Sequence, residues 1–344
     1  MAYLPVETPT LVERFISLAH LPYPLAALFW SIVLGSPGYY TLQYLTTRTS
    51  TFSIADLPTE TLFFLVPLYL FLAVHYLRMR IVAGEAPIAV SLTGGEEDYH
   101  KAFGRMNLAL PPVALAFLFG TPILSLLNGP YYTVGLNVQA IFEILVVYII
   151  TLAFSTYAWV FAIASLGLHN LGSSSLKLGS FLEERMMGAK PMGNLALSMT
   201  IAYFAGLLIV IVLFAGMLAN VTAELLFLGL IILGIALFIL PLNGIHKRMQ
   251  VEKRRILHEI GARYAQMNQA NQANSPTTEK ATLDDLNLKL ERLNNLQQLE
   301  MLDRKASSLP TWPFDIQVVS KFITIVLSVT AVLLSRVITG FLHI

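Results

Sequence analysis

The 344-residue chain contains no cysteine. Disulfides, thiolate metal sites and thiol nucleophiles are therefore excluded, and cysteine usage says nothing about the redox compartment. Charge is scarce as well. Asp, Glu, Lys and Arg make up 12% of the residues, about half the usual share of a soluble domain. No G-x-S-x-G, H-E-x-x-H or phosphate-binding glycine loop is present, and no two acids face each other within an apolar run as a proton relay needs. An enzyme is not expected, nor a cofactor, nor nucleic acid as a partner. The first residues, MAYLPVETPTLVER, lack a basic segment and a small-residue cleavage site, so no signal peptide is expected.

What the chain has in quantity is apolar length. Hydrophobic residues reach 56% and mean hydropathy is +0.66. About 20 apolar residues cross ~30 Å of hydrocarbon, and seven such runs are expected near 24–45, 61–83, 107–127, 140–168, 195–219, 221–243 and 317–342. The first is interrupted by Gly35-Ser36-Pro37-Gly38. Orientation follows from the cations. All of the 22 Lys and Arg except Arg48 and Arg336 fall in one set of flanking segments. Retention of positive charge in the cytoplasm makes that set internal. The expected fold is all-α: a multi-pass bundle, N-terminus in and C-terminus out, in the plasma or cytoplasmic membrane.

One region leaves the bilayer. Residues 1–243 form the six-span membrane domain, 244–315 a cytoplasmic helical hairpin, and 316–344 the last span. Ile245, Met249, Ile256, Ile260 and Met267 fall within ~60° of one another at 100° per residue. The polar stretch around Pro276 reads as a turn, and Thr282 with Asp285 as a helix start. Leu283, Leu286, Leu290 and Leu293 then step 3-4-3 like a coiled-coil seam, and Leu296, Leu299 and Leu302 follow at threes. Two antiparallel arms of ~35 Å are expected, serving either as a connector or as a subunit contact. Pro310 and Pro313 end the second arm, with Trp312 and Phe314 at the membrane surface.

The last span carries the sharpest pattern. Gln317, Lys321, Thr324, Ser328, Ala331, Ser335 and Thr339 lie within an arc of ~80° at 100° per residue, and the rest of the helix is apolar. Polar side chains inside a membrane mark water paths, or else a seam of small residues where helices approach closely. As a pore lining the residues are Gln317, Lys321, Thr324, Ser328, Ser335 and Thr339. Tyr39, Tyr40, Tyr44, Tyr131 and Tyr132 gather near the outer interface with Glu143, as an aromatic belt or as a ligand pocket. In Thr93-Gly94-Gly95-Glu96-Glu97-Asp98-Tyr99-His100-Lys101, Thr93 and Glu96 read as a capping box rather than a metal site. No metal is expected. His246 and His258 are expected in solvent. Asn220-Val221-Thr222 is a glycosylation acceptor sequence where the host has a secretory pathway.

Seven spans with an inside N-terminus, a cytoplasmic helical extension and a polar stripe on the last span together resemble the insect odorant and gustatory receptors and their gustatory-receptor-like relatives. The resemblance implies a ligand-gated cation channel, in which four last spans surround a central pore above a cytoplasmic anchor. Inorganic cations, the lipid bilayer and further copies of the chain, as a tetramer, are the partners it implies. At the family's signature in the last span this chain reads SKFITIVLSVTAVLL. A second, local likeness joins PLNGIHKRM and LPTWPFD to prokaryotic membrane proteins sharing Pro-Leu-x-Gly-x-His and Pro-Thr-Trp-Pro elements. It implies no function. The expectation is a homo-oligomeric, cation-permeable channel; the alternative is a non-conducting scaffold or sensor that assembles through the hairpin.

Overall fold

The computed structural model describes residues 6–48, 57–127, 138–172, 176–179, 186–213, 221–273 and 283–342. Helices dominate: α1 (Leu11–Ser17), α2 (Tyr23–Leu34), α3 (Ser36–Thr47), α4 (Leu57–Ala89), α5 (Glu96–Phe103), α6 (Leu110–Leu127), α7 (Val138–Asn170), α8 (Lys190–Leu213), α9 (Val221–Ala273), α10 (Leu283–Ser307) and α11 (Ile316–Leu342). Among the described residues, six helices are long and apolar enough to cross a membrane. The count becomes seven if α2 and α3 are one span bent by 43°. The bend falls at Gly35, where the chain turns extended before Pro37 restarts the helix.

The bundle is organised around α4 and α8. Helix α4 packs on α2, α7 and α8, and α8 also touches α9 and α11. Tyrosine hydroxyls close several crossings by donating to the second lone pair of helix carbonyls. Tyr69 donates to the Ala202 carbonyl, Tyr203 to Leu230 O at 2.8 Å and Tyr23 to Phe71 O at 2.8 Å. In hydrocarbon such groups need internal partners. The short helix α5 lies across one end of the bundle, with Tyr99 and Phe103 fully buried. Its cap differs from the expected Thr93–Glu96 box. The N-cap is Gly95 at φ 58°, with no side-chain cap bond, and Asp98 instead accepts from Gly94 N–H at 2.9 Å. A left-handed residue directly before the helix displaces Thr93 from the capping position.

Helix α9 continues without a break from its apolar stretch to Ala273. Ile245, Met249, Ile256 and Ile260 are buried on one face, as the spacing predicts. Helix α10 returns alongside it, and the pairs are antiparallel. Lys253 Nζ donates to Ser307 O and Leu309 O at 2.6 and 2.8 Å. Arg263 and Met267 share a cleft with Asn295, Leu299 and Leu302. The face of α10 that packs carries Leu299 and Ala306, with Leu309 buried just past the end of the helix. Leu286, Leu290 and Leu293 are 52%, 58% and 59% exposed. The regular leucine seam therefore does not close this hairpin, because α10 turns its C-terminal face to α9. The expected turn at Pro276 and the Thr282 helix start lie outside the described residues.

Candidate functional site

The segment joining α10 to α11 is a junction of rings. His246 Nδ1 is 2.7 Å from Thr311 O, and its ring stacks on Trp312 at 4.1 Å. Trp312 stacks on Phe314, Phe314 on Phe238, and Phe238 on Phe322. His246 is thus half-buried against an aromatic stack rather than solvated, whereas His258 is exposed. Asp315 accepts from Val318 N–H at 2.9 Å and pairs with Lys190 at 3.2 Å. The Val318 bond first, and Lys190 next, hold its carboxyl below the usual aspartate value. The junction fixes the rotation of α11 about its own axis.

That rotation decides where the polar stripe points. Val318, Val329 and Leu333 are buried against the bundle. Gln317, Lys321, Thr324, Ser328, Ala331 and Ser335 are all exposed. Thr339 lies in the last turns of α11, and its side chain is outside the described residues. The stripe is therefore not an internal seam between helices of one chain. Thr324 and Ser328 donate to Ser320 O and Thr324 O at 2.9 and 2.8 Å. Their hydroxyl protons are thus satisfied, and the oxygens retain acceptor capacity outward. Lys321 is the one formal charge among the exposed members.

The tyrosine group is only partly assembled. Tyr39 donates to Glu143 and accepts from Gln139 Nε2 at 3.1 Å. Tyr40 donates to Glu60 at 2.7 Å, and the two tyrosine rings meet edge to face at 5.5 Å. Among the described residues neither Glu60 nor Glu143 has a cationic partner. Tyr44 stands apart and exposed. Tyr131 and Tyr132 lie outside the described residues. No group of three or more potential metal ligands occurs among the described residues.

One polar cluster escaped sequence reasoning. Glu13, 4% exposed, accepts from Thr10 N–H and Oγ1–H at 2.9 and 3.0 Å. It also accepts from Arg78 Nε at 2.6 Å and lies 2.8 Å from His75 Nδ1. Tyr23 stacks on His75 at 3.9 Å. The signals were present: Thr10 and Glu13 have capping-box spacing, and His75 and Arg78 share a face of an apolar helix. The cluster clips α1 onto α4 and spends the buried carboxylate on three partners. Comparison of the chain with protein-family models, curated proteins and solved structures finds no match.

Proposed function

We propose that the protein is a homo-oligomeric membrane channel in which copies of α11 turn their polar faces to a common axis. The observation that carries this reading is the outward direction of Gln317, Lys321, Thr324, Ser328 and Ser335. A monomer in lipid would leave Gln317 and Lys321 beside acyl chains or snorkelling away from them. Assembly around α11 removes that cost and encloses a wet path. Hydroxyl oxygens then replace part of an ion's hydration, as in polar pore linings. Cation permeation, as the resemblance implies, relies on those oxygens, since Lys321 at one mouth opposes it. The Tyr39–Tyr40–Glu60–Glu143 cluster, with two carboxylates lacking cationic partners, serves as a ligand site for a positively charged group.

Seven spans, with α2 and α3 as one, and an inside N-terminus complete the proposal. The charge distribution supports it: Arg80, Lys101, Arg105, Lys190 and Lys247 lie around the end of the bundle to which α9 continues, and Arg48 at the other. In sealed cells, single cysteines at Thr46 are expected to react with an impermeant thiol reagent and those at Gly95 to be protected. The reverse pattern inverts the topology.

The α9–α10 hairpin is the second contact between copies. Leu286, Leu290 and Leu293 form an exposed apolar row on α10, and burying each contributes about 1.5–3 kcal/mol. Their joint replacement by serine is expected to shift cross-linked oligomers toward monomer without lowering the thermal midpoint of the protomer. An unchanged oligomer makes the hairpin a connector. A monomeric parent protein in nanodiscs removes the channel and leaves the non-conducting sensor.

A further inference from the structure

We propose that the outward face of α9, just beyond its apolar stretch, binds the phosphate headgroups of anionic phospholipids. Between Glu224 and Lys247 the helix has no Asp, Glu, Lys or Arg. At 1.5 Å per residue that stretch spans about 33 Å, close to the hydrocarbon thickness. Glu224 and Lys247 therefore stand at opposite membrane surfaces, and Lys247 and Arg248 emerge at headgroup level. Arg254 follows about 10 Å further along the axis, within about one Debye length of that surface.

The cations here divide by what holds them. Arg255 is paired with Glu252 at 2.6 Å and reaches Glu259 at 3.7 Å. Lys253 is spent on the carbonyls that end α10. On the elements packed alongside, Glu300 is paired with Arg304, and Asp315 with Lys190. Lys247, Arg248 and Arg254 remain near the apolar stretch, whereas Arg263, further along, lines the cleft against α10. All three are exposed, and none has a carboxylate partner among the described residues. They share one side of α9, within an arc of about 120° at 100° per residue, opposite buried Ile245, Met249, Ile256 and Ile260. Retention of positive charge explains why cations sit on this side of the membrane. It does not explain why three are left without partners on one face. Guanidinium groups match phosphate oxygens in pairs, and an ammonium adds a point charge. The surface is independent of whether the protein conducts.

The test uses the full chain in neutral detergent micelles, following its thermal midpoint against added phosphatidylglycerol, phosphatidylcholine or inorganic phosphate. Phosphatidylglycerol is expected to raise the midpoint, and the other two are not. Lys247→Gln/Arg248→Gln/Arg254→Gln should weaken the apparent phosphatidylglycerol affinity about 100-fold. Its midpoint with phosphatidylcholine should match that of the parent. Arg292→Gln/Arg304→Gln/Lys305→Gln removes the same charge from α10 and should leave the lipid response intact. Raising salt to about 0.5 M should weaken the parent's response without any substitution. A phosphatidylglycerol response that is absent, insensitive to salt or unchanged in the first triple variant overturns the proposal. So does an equal loss in the α10 variant, which indicates bulk charge, or an equal rise with inorganic phosphate, which indicates a free-anion site.

Discussion

Gly193→Ala is expected to lower the stability of the protein by about 3 kcal/mol, near the top of the range for overpacking a well-filled contact. A Cβ at Gly193 would stand 1.9 Å from the Pro313 carbonyl oxygen and 2.9 Å from its carbon. The obstruction is backbone, held by a stacked Trp312–Phe314 pair and by the Asp315–Lys190 contact, so it cannot step aside as a flexible side chain would. The 311–315 segment must then leave α8, which unseats the start of α11. Gly261→Ala supplies the opposite sign from the same chemical change. Nothing lies within 4 Å of its Cβ position, and replacing glycine in an exposed helix interior gains about 0.5–1 kcal/mol. Thermal midpoints of the two variants in one detergent should therefore move in opposite directions. A stable Gly193→Ala protein would mean that the junction is not seated against α8.

The helical, membrane-crossing character was legible because it is written in composition and run length, which need no tertiary information. The polar stripe was legible for the same local reason: steps of three and four residues put Thr324, Ser328 and Ser335 on one face of any helix. Its direction was not. Which face turns outward is set by contacts between Val318, Val329, Leu333 and the bundle, by a hydrogen bond that joins His246 to Thr311 across 65 residues, and by the ring stack of His246 on Trp312. Periodicity carries no such long-range term. The leucine row on α10 shows the same limit. Spacing marks a face able to pack, but the choice between Leu286–Leu293 and Leu299–Leu309 depends on where the returning helix is anchored. Tyr39 with Glu143, and Glu13 with His75 and Arg78, belong to the same class. Each pairs residues roughly 60 to 100 positions apart, and only the fold brings them together.

Ser328→Leu is expected to abolish ion flux while leaving the oligomer intact. Ser328 is exposed near the middle of α11, where its oxygen faces the proposed axis and its own proton is held by Thr324 O. Leucine removes that acceptor and adds apolar bulk from every copy at the same level, which closes a narrow path by dewetting. Each helix loses little, because the Ser328 side chain is exposed within its own chain. Thr330 is half-buried and donates to Val326 O at 2.8 Å, so enlarging it would confound flux with folding. Leu327, 62% exposed on the apolar side of the outward face, is the better control, and Leu327→Phe should conduct like the parent. Ser328→Thr keeps the hydroxyl and should retain flux. Liposome flux and cross-linking measured on the same preparations separate the possibilities. If the stripe is instead a close seam between copies, Ser328→Leu breaks the oligomer, since tight helix approach requires small residues. If Ser328→Leu keeps both oligomer and flux, α11 does not line the path. If the parent oligomer passes no ion under any ligand offered, the non-conducting sensor is the better account.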